Sequence, residues 1–437
     1  MSAVPTLPER MALFGDLLDF DATPALDDPA SPGVRYRPAH WLLIENGRIS
    51  GVQAHEPDVG WAQERHAGRL ILPGFIDTHV HSAQIDVLGA WGTALLDWLE
   101  THTFPAEARM ADPAHAAMMS GLFLDGLLAT GTTAAMVFPT VHKGSVDALF
   151  RAAAQRGMRM IAGKVLMDRH APDNLRDDVA QAERDCTDLI ARWHGQGRAA
   201  YAVTPRFAPT STDAQLAMAG ALMAAHPGLY MQTHVAENRD EVKWVAELFP
   251  QARSYLDVYQ RFGLLGPRAM LAHGIWLDDT DRTLLRESGA ALAFCPSSNL
   301  FLGSGLFDWA AARQQGAAVS MACDVGGGTS LSMLRTLADG YKVQAMAGRR
   351  VTAWALLHAA TRGAAEALGL AREIGSFDVG TCADVVVWDR ARHPVEIRRQ
   401  AVARDLHDAV FAWLTLAGDE HVVSTRVAGQ MRYQRPN

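Results

Sequence analysis

Apolar stretches alternate with amphipathic ones through most of the chain, from about residue 73 to residue 370. The apolar stretches are short enough to be buried strands, and the segments between them have the length and spacing typical of helices. Repeated strand–helix alternation predicts parallel strands joined by right-handed crossovers, and eight repeats predict an α/β fold of the (β/α)8 TIM-barrel class. The predicted strands are Leu70–Asp77, Thr132–Phe138, Met158–Val165, Tyr201–Thr204, Tyr230–His234, Ala269–His273, Ala290–Cys295 and Ala317–Cys323.

The two ends of the chain are rich in strands and turns instead. Trp41–Ile44 and the strand that follows it flank Asn46-Gly47, a dipeptide typical of tight hairpin turns. Asp384–Trp388 is an apolar strand, and Val422–Tyr433 resembles a second hairpin. We therefore expect both ends to pair into one small β-sandwich-like domain. The predicted divisions are 1–72 and 375–437 for the two parts of this β domain and 73–374 for the barrel.

Composition narrows the function classes. Of 437 residues, 49% are hydrophobic and 20% charged, which is typical of a globular protein with an ample core. A net charge of −8 disfavours a nucleic-acid or anionic-membrane partner. No apolar run is long enough to span a bilayer, and the first residues lack a signal-peptide core. The four cysteines form no CxxC pair, so we expect neither a disulfide framework nor a cysteine zinc knuckle, and a cytoplasmic location.

Candidate chemistry begins with His79 and His81, two residues apart after an apolar stretch. Side chains two apart on a strand point to the same face, so the two imidazoles converge and form half of a zinc-type site. The pair alone is weak evidence, because a chain with 17 histidines contains such pairs by chance.

The ends of the other predicted strands supply partners for this pair. Barrels gather their chemistry at the carboxyl ends of the strands, and His234, His273 and Asp324 lie at three more of these ends. Each residue alone has an ordinary explanation, as a hydrogen-bonded core histidine or a helix-capping aspartate. Five such groups at four strand ends are hard to explain by packing and favour a metal site.

Sequence motifs add a family resemblance. PGFIDTHVH, HVAE, AHG and CDVGGG resemble the amidohydrolase superfamily, and the likeness covers nearly the whole chain, including the divided β domain. Longer strings are similar to the guanine deaminases of that superfamily. These strings are HSAQ (81–84), LLDWLETHTFPAE (95–107), TPRFAPTST (204–212), HVAENRDEV (234–242) and NLFLGSGLFDW (299–309).

The resemblance implies a metal site with four ligands: His79, His81, His234 and Asp324. Binuclear members usually add a bridging lysine at the end of the fourth strand, where this chain has Arg206. We therefore expect one Zn²⁺ per chain, with Fe²⁺ as the other possibility. Lys164, on the third strand, is expected to pair with a carboxylate.

The resemblance also implies the reaction, which is hydrolysis of guanine to xanthine and ammonia in purine catabolism. The implied catalytic residues are Glu237, His273 and Asp324. A hydroxide formed at the metal would attack the amino-bearing ring carbon, with Glu237 donating a proton to the neighbouring ring nitrogen. The implied substrate-binding residues are His81, Gln84, Arg206, Phe207, His234 and Glu237.

Several of these assignments have ordinary alternatives. Glu237 could be an exposed loop glutamate, Gln84 a loop amide, Arg206 a rim ion pair and Phe207 a core aromatic. The whole chain could also be a related amidohydrolase-type deaminase acting on 8-oxoguanine, a pterin or a triazine, or a barrel that serves as an inactive scaffold. The cytidine-type zinc deaminases are excluded, since neither H-x-E nor P-C-x-x-C occurs. We expect a small-molecule purine substrate and a homodimer.

Overall fold

A computed structural model describes residues 9–91 and 95–436, so the first eight residues of the predicted β domain lie outside it. The described strands are β1 (Arg10–Phe20), β2 (Val34–Glu45), β3 (Arg48–Gln53), β4 (Ala62–Pro73), β5 (Phe75–His81), β6 (Thr132–Phe138), β7 (Arg159–Ala162), β8 (Val165–Leu166), β9 (Ala199–Pro205), β10 (Tyr230–Val235), β11 (Ala269–His273), β12 (Ala291–Phe294), β13 (Ala318–Met321), β14 (Val385–Trp388), β15 (Val422–Val427) and β16 (Gln430–Gln434).

The barrel prediction is confirmed. Strands β5, β6, β7, β9, β10, β11, β12 and β13 are hydrogen-bonded in that order, all parallel, and the two-residue β8 pairs with β9. The last strand lies against the first, which brings the barrel close to closure. The carboxyl ends of all eight strands therefore face one end of the barrel.

The bounds of the first predicted strand were wrong. Leu70–Asp77 is divided at Gly74, with Leu70 to Pro73 completing β4 of the other sheet and Phe75 beginning β5. A Cβ at Gly74 would lie 2.1 Å from Thr133 Oγ1, so only glycine allows this close passage between the sheets. Both halves are apolar and buried, so periodicity alone could not locate the division.

The chain ends form one seven-stranded sheet in the order β16-β15-β14-β4-β1-β2-β3. Only β1 and β4 pair in parallel; the other neighbours are antiparallel. Strand β4, from the amino-terminal part, pairs with β14, from the carboxyl-terminal part, so both ends of the chain contribute to one sheet. The domain divisions themselves stay a prediction.

Helices surround the barrel. They are α1 (Leu95–Trp98), α2 (Phe104–Ala108), α3 (Pro113–Ala129), α4 (Lys143–Arg156), α5 (Val179–Trp193), α6 (Asp213–Ala225), α7 (Arg239–Leu248), α8 (Tyr255–Arg261), α9 (Asp279–Ser288), α10 (Pro296–Phe301), α11 (Trp309–Gln314), α12 (Met333–Met346), α13 (Ala353–Ala359), α14 (Arg362–Ala367), α15 (Pro394–Ala401) and α16 (Leu406–Leu416). In the described part of the chain, none combines the length and apolar character needed to cross a bilayer.

Residues 95–108, which we call the lid, cover the carboxyl end of the barrel. They comprise α1, a π-helical turn at Leu99–Thr103, and α2. Their apolar side chains pack in one cluster with Phe207 and Leu302, which follow barrel strands β9 and β12. The lid therefore places a layer of buried apolar side chains above the strand ends.

Candidate active site

Three imidazoles and one carboxylate converge at the carboxyl end of the barrel. His79 and His81 extend from β5 and His234 from β10, while Asp324 follows β13. Nε2 of His81 lies 3.3 Å from Nε2 of His79 and 3.2 Å from Nε2 of His234. Asp324 Oδ1 lies 3.1 Å from His79 Nε2 and 3.4 Å from His81 Nε2. The structure thus brings the four residues implied as ligands around one point.

Backbone hydrogen bonds between the first and last strands hold two of these groups in place. The Asp324 amide donates to the His79 carbonyl at 3.0 Å, and the His81 amide donates to the Val325 carbonyl at 2.8 Å. Beneath them, buried Asp77 Oδ1 accepts from the amides of His79 and Cys323. These bonds fix the ligands on the two strands where the barrel comes close to closing.

The protonation states suit a cation. Burial lowers the pKa of His79 to about 4, and burial together with the neighbouring imidazoles holds the pKa of His234 well below its ordinary value. Burial alone would raise the pKa of Asp324, but His79, with His81, holds it well below the usual range. Neutral imidazoles and an ionised carboxylate are the forms that bind metals.

The spacing and the orientation also fit a metal ion. Ligand atoms about 2.0–2.1 Å from a tetrahedral zinc lie roughly 3.3 Å apart, which matches the observed separations of 3.1–3.4 Å. His234 Nδ1 lies 2.6 Å from the Arg206 carbonyl, an acceptor, so Nδ1 carries the proton and Nε2 presents its lone pair. Facing lone pairs repel one another unless a cation lies between them. The donor set therefore fits one zinc-type ion.

The backbone is strained around this point. Ala236, His273 and Asp324 have φ values of 48°, 72° and 50°, in the left-handed region that non-glycine residues rarely adopt. All three lie at or just beyond the end of a barrel strand. Strain of this kind persists where surrounding structure enforces it, and it concentrates at functional sites.

Glu237 and His273 lie together beside the four candidate ligands. Glu237 Oε2 lies 3.4 Å from His273 Nε2, which is 3.7 Å from Asp324 Oδ2. Ser304 donates to Glu237 Oε1 at 2.8 Å, and His273 Nδ1 lies 2.9 Å from Asn299 Oδ1. Since the amide oxygen accepts, Nδ1 carries a proton and Nε2 faces the carboxylates.

The environment gives these two groups shifted pKa values. Burial raises the pKa of Glu237 to about 7, although His273 and Ser304 oppose the shift. Burial alone would lower the pKa of His273, but the carboxylates of Glu237 and Asp324 outweigh it and the net direction is upward. A carboxyl group with a pKa near neutrality can both donate and accept a proton at physiological pH. Glu237 is 3% exposed, so it is not the solvated loop glutamate of the ordinary alternative.

Gln84 and Arg206 meet at a third carboxylate, that of Glu107 in the lid. Gln84 Nε2 donates to Glu107 Oε1 at 2.8 Å, and Arg206 Nη1 donates to Oε1 and Oε2 at 2.8 and 2.7 Å. All three side chains are at most 3% exposed. Arg206 therefore forms a buried ion pair with Glu107 rather than an exposed one at the barrel rim.

One cavity connects these groups. Its empty volume is about 430 Å³, a figure that includes space open to solvent. Apolar lid residues close one side, and the histidines and carboxylates form the other. The lining consists of His81, Gln84, Leu95, Trp98, Leu99, Arg206, Phe207, His234, Glu237, Glu241, His273, Leu302, Asp324 and Gly327. A flat heteroaromatic ring with polar edges matches this combination of surfaces.

Sequence reasoning missed the residues that orient this site. Glu107, Asn299 and Ser304 lie within the family-like strings, but none of the three was assigned a role from the sequence. A signal was available, since polar residues inside otherwise apolar strings are expected to find buried partners. The prediction for Lys164 is confirmed, because its ammonium pairs with Asp177.

Comparison with known proteins adds four findings. The profile of the amidohydrolase family matches residues 70–432. The chain is 43% identical to the guanine deaminase of Escherichia coli strain K12 over 423 residues, which cover 95% of this chain and 96% of that protein. A solved structure of E. coli guanine deaminase superposes with a TM-score of 0.92 at 40% identity, covering 98% of this chain and 99% of that one. The solved structure of guanine deaminase from Bradyrhizobium japonicum superposes with a TM-score of 0.93 at 31% identity, covering 98% of this chain and 100% of that one.

Proposed function

The chain belongs to the amidohydrolase family, and from that premise we propose that it is an enzyme that hydrolyses guanine to xanthine and ammonia. Two independent lines support this reaction. The first is 43% identity to a guanine deaminase over nearly the full length. The second line carries the proposal: one cavity holds a metal-type cluster, a proton-donating carboxyl group and polar side chains that suit a purine edge. These residues are His81, His234 and Asp324 of the cluster, then Glu237, and the polar pair Gln84 and Arg206.

The proposed metal centre uses His79, His81, His234 and Asp324, with zinc as the expected ion and ferrous iron as the second choice. When bound, such an ion acts as a Lewis acid that lowers the pKa of water to about 7 in favourable cases. Lys164, the lysine expected near the strand ends, is bound to Asp177, which supports a single ion per chain.

Glu237 and His273 have the geometry for the proton transfers. Attack of water on the amino-bearing carbon of guanine requires a proton on the neighbouring ring nitrogen, and later a second proton on the departing amino group. Glu237, with a pKa of about 7, holds a proton for the first transfer and can return one in the second. Asp324 takes one proton from the attacking water, and the hydroxyl proton that remains passes through Glu237 to the departing amino group. The proton on Asp324 then returns to Glu237 through His273, which lies 3.7 Å from Asp324 Oδ2 and 3.4 Å from Glu237 Oε2 and is held in one tautomer by Asn299. The overall reaction converts guanine and water into xanthine and ammonia.

Gln84 and Arg206 are proposed to read the polar edge of the purine. Guanine presents a carbonyl oxygen and ring N–H groups, which complement an amide and a guanidinium. Phe207 and the lid residues Trp98 and Leu99 supply apolar walls that exclude water. Adenine lacks the carbonyl oxygen, so the same donors would lose a partner and adenine would be a poor substrate.

The test is turnover by the purified, metal-analysed protein. Guanine, 8-oxoguanine, adenine, cytosine, a pterin and a triazine are each supplied, and ammonia is measured together with the heterocyclic product by chromatography. We expect the highest kcat/KM for guanine, with stoichiometric xanthine and ammonia. A higher value for a pterin, a triazine or 8-oxoguanine would refute guanine as the substrate, and no turnover of any compound by metal-loaded protein would refute the enzyme.

The assembly and location are part of the same proposal. A homodimer is proposed from the family resemblance, and light scattering coupled to gel filtration would measure it directly. A cytoplasmic location is supported by the four free cysteines, three of them buried. Fractionation of the cells that express the chain tests the location.

A further inference from the structure

We propose that Glu107 is a positioning residue that sets the orientation of both side chains that recognise the substrate. The inference rests on the proposed function, because it concerns how the same cavity selects its ligand. One carboxylate receives hydrogen bonds from Gln84 and from Arg206, residues that lie 23 and 99 positions away from it in the chain. Glu107 itself is not part of the described cavity lining, so it acts through these two neighbours.

The amide of Gln84 is fixed in one of its two possible orientations. A carboxylate only accepts and a backbone N–H only donates. Gln84 Nε2 donates to Glu107 at 2.8 Å, and Gln84 Oε1 accepts from the Gly326 amide at 3.0 Å. Reversing the amide would place donor against donor and acceptor against acceptor. Because an amide offers two donors and two acceptor sites, one donor and one acceptor remain for a ligand, which is the pairing that a lactam edge requires.

Arg206 receives both its charge balance and its placement from Glu107. A buried guanidinium without a counter-ion is strongly unfavourable, and Glu107 supplies the negative charge within hydrogen-bond distance. The hydrogen bonds that the described residues make to this guanidinium all involve Nη1. Nε and Nη2 are therefore the donors left for a substrate carbonyl. Since the pair is neutral overall, a neutral purine can bind beside it without leaving a charge uncompensated.

The position of Glu107 links recognition to the lid. It lies in α2, beside Phe104, whose ring is 5.4 Å from the Arg206 guanidinium. Gln84 precedes the lid and Arg206 follows β9, so the lid residue Glu107 joins two separate parts of the barrel end. Glu107 therefore connects the lid to both recognition groups through direct hydrogen bonds.

The experiment substitutes Glu107→Gln, which preserves shape but removes the charge and replaces one acceptor oxygen with a donor. We expect KM for guanine to rise by about 10- to 100-fold, as for loss of charged hydrogen bonds, while kcat changes by less than about threefold. Metal content is expected to stay at the wild-type level. Glu107→Asp keeps the charge but is too short to reach both partners, so its KM should fall between those of the wild type and the glutamine variant.

Glu100→Gln is the matched control, because Glu100 lies in the same lid, is exposed and undergoes the same change of charge. Its kinetics should equal those of the wild type. The double variant Glu107→Gln/Gln84→Ala should be much less impaired than the product of the single effects, because both changes break one network. Additive effects of the two changes would overturn the proposal.

An unchanged KM in folded Glu107→Gln would also overturn the proposal. A variant with a lower melting temperature but wild-type kinetics would overturn it as well. If the glutamine variant is insoluble, Glu107→Asp decides the question, and a wild-type KM there refutes the inference. Failure of the proposed function would look different: wild-type protein would prefer another compound of the panel. The Glu107 series is then measured with that compound, so the two hypotheses are separable.

Discussion

Glu237→Gln tests the chemical step most directly. The change keeps the size of the side chain and one oxygen that can accept from Ser304, whose hydroxyl lies 2.8 Å from Oε1. It removes the only feature the mechanism needs, a group with a pKa of about 7 that donates and accepts a proton beside His273. Glu237 is not one of the four proposed metal ligands, so the metal should stay bound.

The expected loss follows from the role of the group. General acid–base transfer typically contributes about 10²–10⁴-fold to rate. At ~1.4 kcal/mol for each tenfold change, this corresponds to about 3–5 kcal/mol of activation free energy. The loss should fall mainly on kcat, since an amide of the same shape preserves the cavity that binds guanine.

The assay is steady-state conversion of guanine to xanthine, with zinc content and melting temperature measured on the same samples. Glu247→Gln is the control, since Glu247 is exposed on α7, a few residues further along the same segment. It should match the wild type in all three measurements. Glu237→Gln with turnover within about threefold of the wild type and normal metal content would refute the proton-transfer role. Loss of zinc together with turnover would instead show that Glu237 supports the metal centre.

Three other predictions follow from the same structure. Elemental analysis of purified protein should find close to one zinc or iron per chain, and two tightly bound ions per active chain would contradict the four-ligand site. Arg206→Lys should lower kcat/KM for guanine by about 5- to 150-fold, corresponding to ~1–3 kcal/mol, because lysine lacks the planar fork of the guanidinium. The zinc content of this variant should stay constant. Wild-type kinetics in the lysine variant would show that Arg206 does not recognise the substrate. Glu396 accepts from the amides of Arg392 and His393 and lies 2.9 Å from His421 Nε2. Burial opposes these bonds, yet they lower its pKa from 4.5 to about 2. A carboxylate whose folded pKa is depressed stabilises the protein above its unfolded pKa, and this contribution is lost as pH falls from about 4.5 to 2. The free energy of unfolding is measured by urea titration across that pH interval, at equal metal loading, for the wild type and for Glu396→Gln. As pH falls, the wild-type value should approach that of the variant. A constant difference between the two would contradict the lowered pKa of Glu396.

The sequence by itself determined the barrel and the candidate ligands. Strand–helix alternation is a local property, and the rule that strand ends converge turns local positions into a shared site without knowledge of packing. His79 and His81 needed only the two-residue period of a strand to be placed side by side. The fold class and the cluster of histidines and Asp324 could therefore be inferred from the order of the residues alone.

Only the tertiary structure decided where the first strand divides and which groups orient the site. Gly74 separates two sheets because Thr133, almost sixty residues away, leaves no room for a Cβ. Glu107 accepts a hydrogen bond from Arg206, 99 positions away in the sequence, and Glu237 accepts one from Ser304, 67 positions away. No periodicity encodes such pairs, because hydrogen bonds between distant residues depend on how the lid and the loops after the strands pack on the barrel. Local pattern places a residue on an element, whereas packing between elements selects its partner.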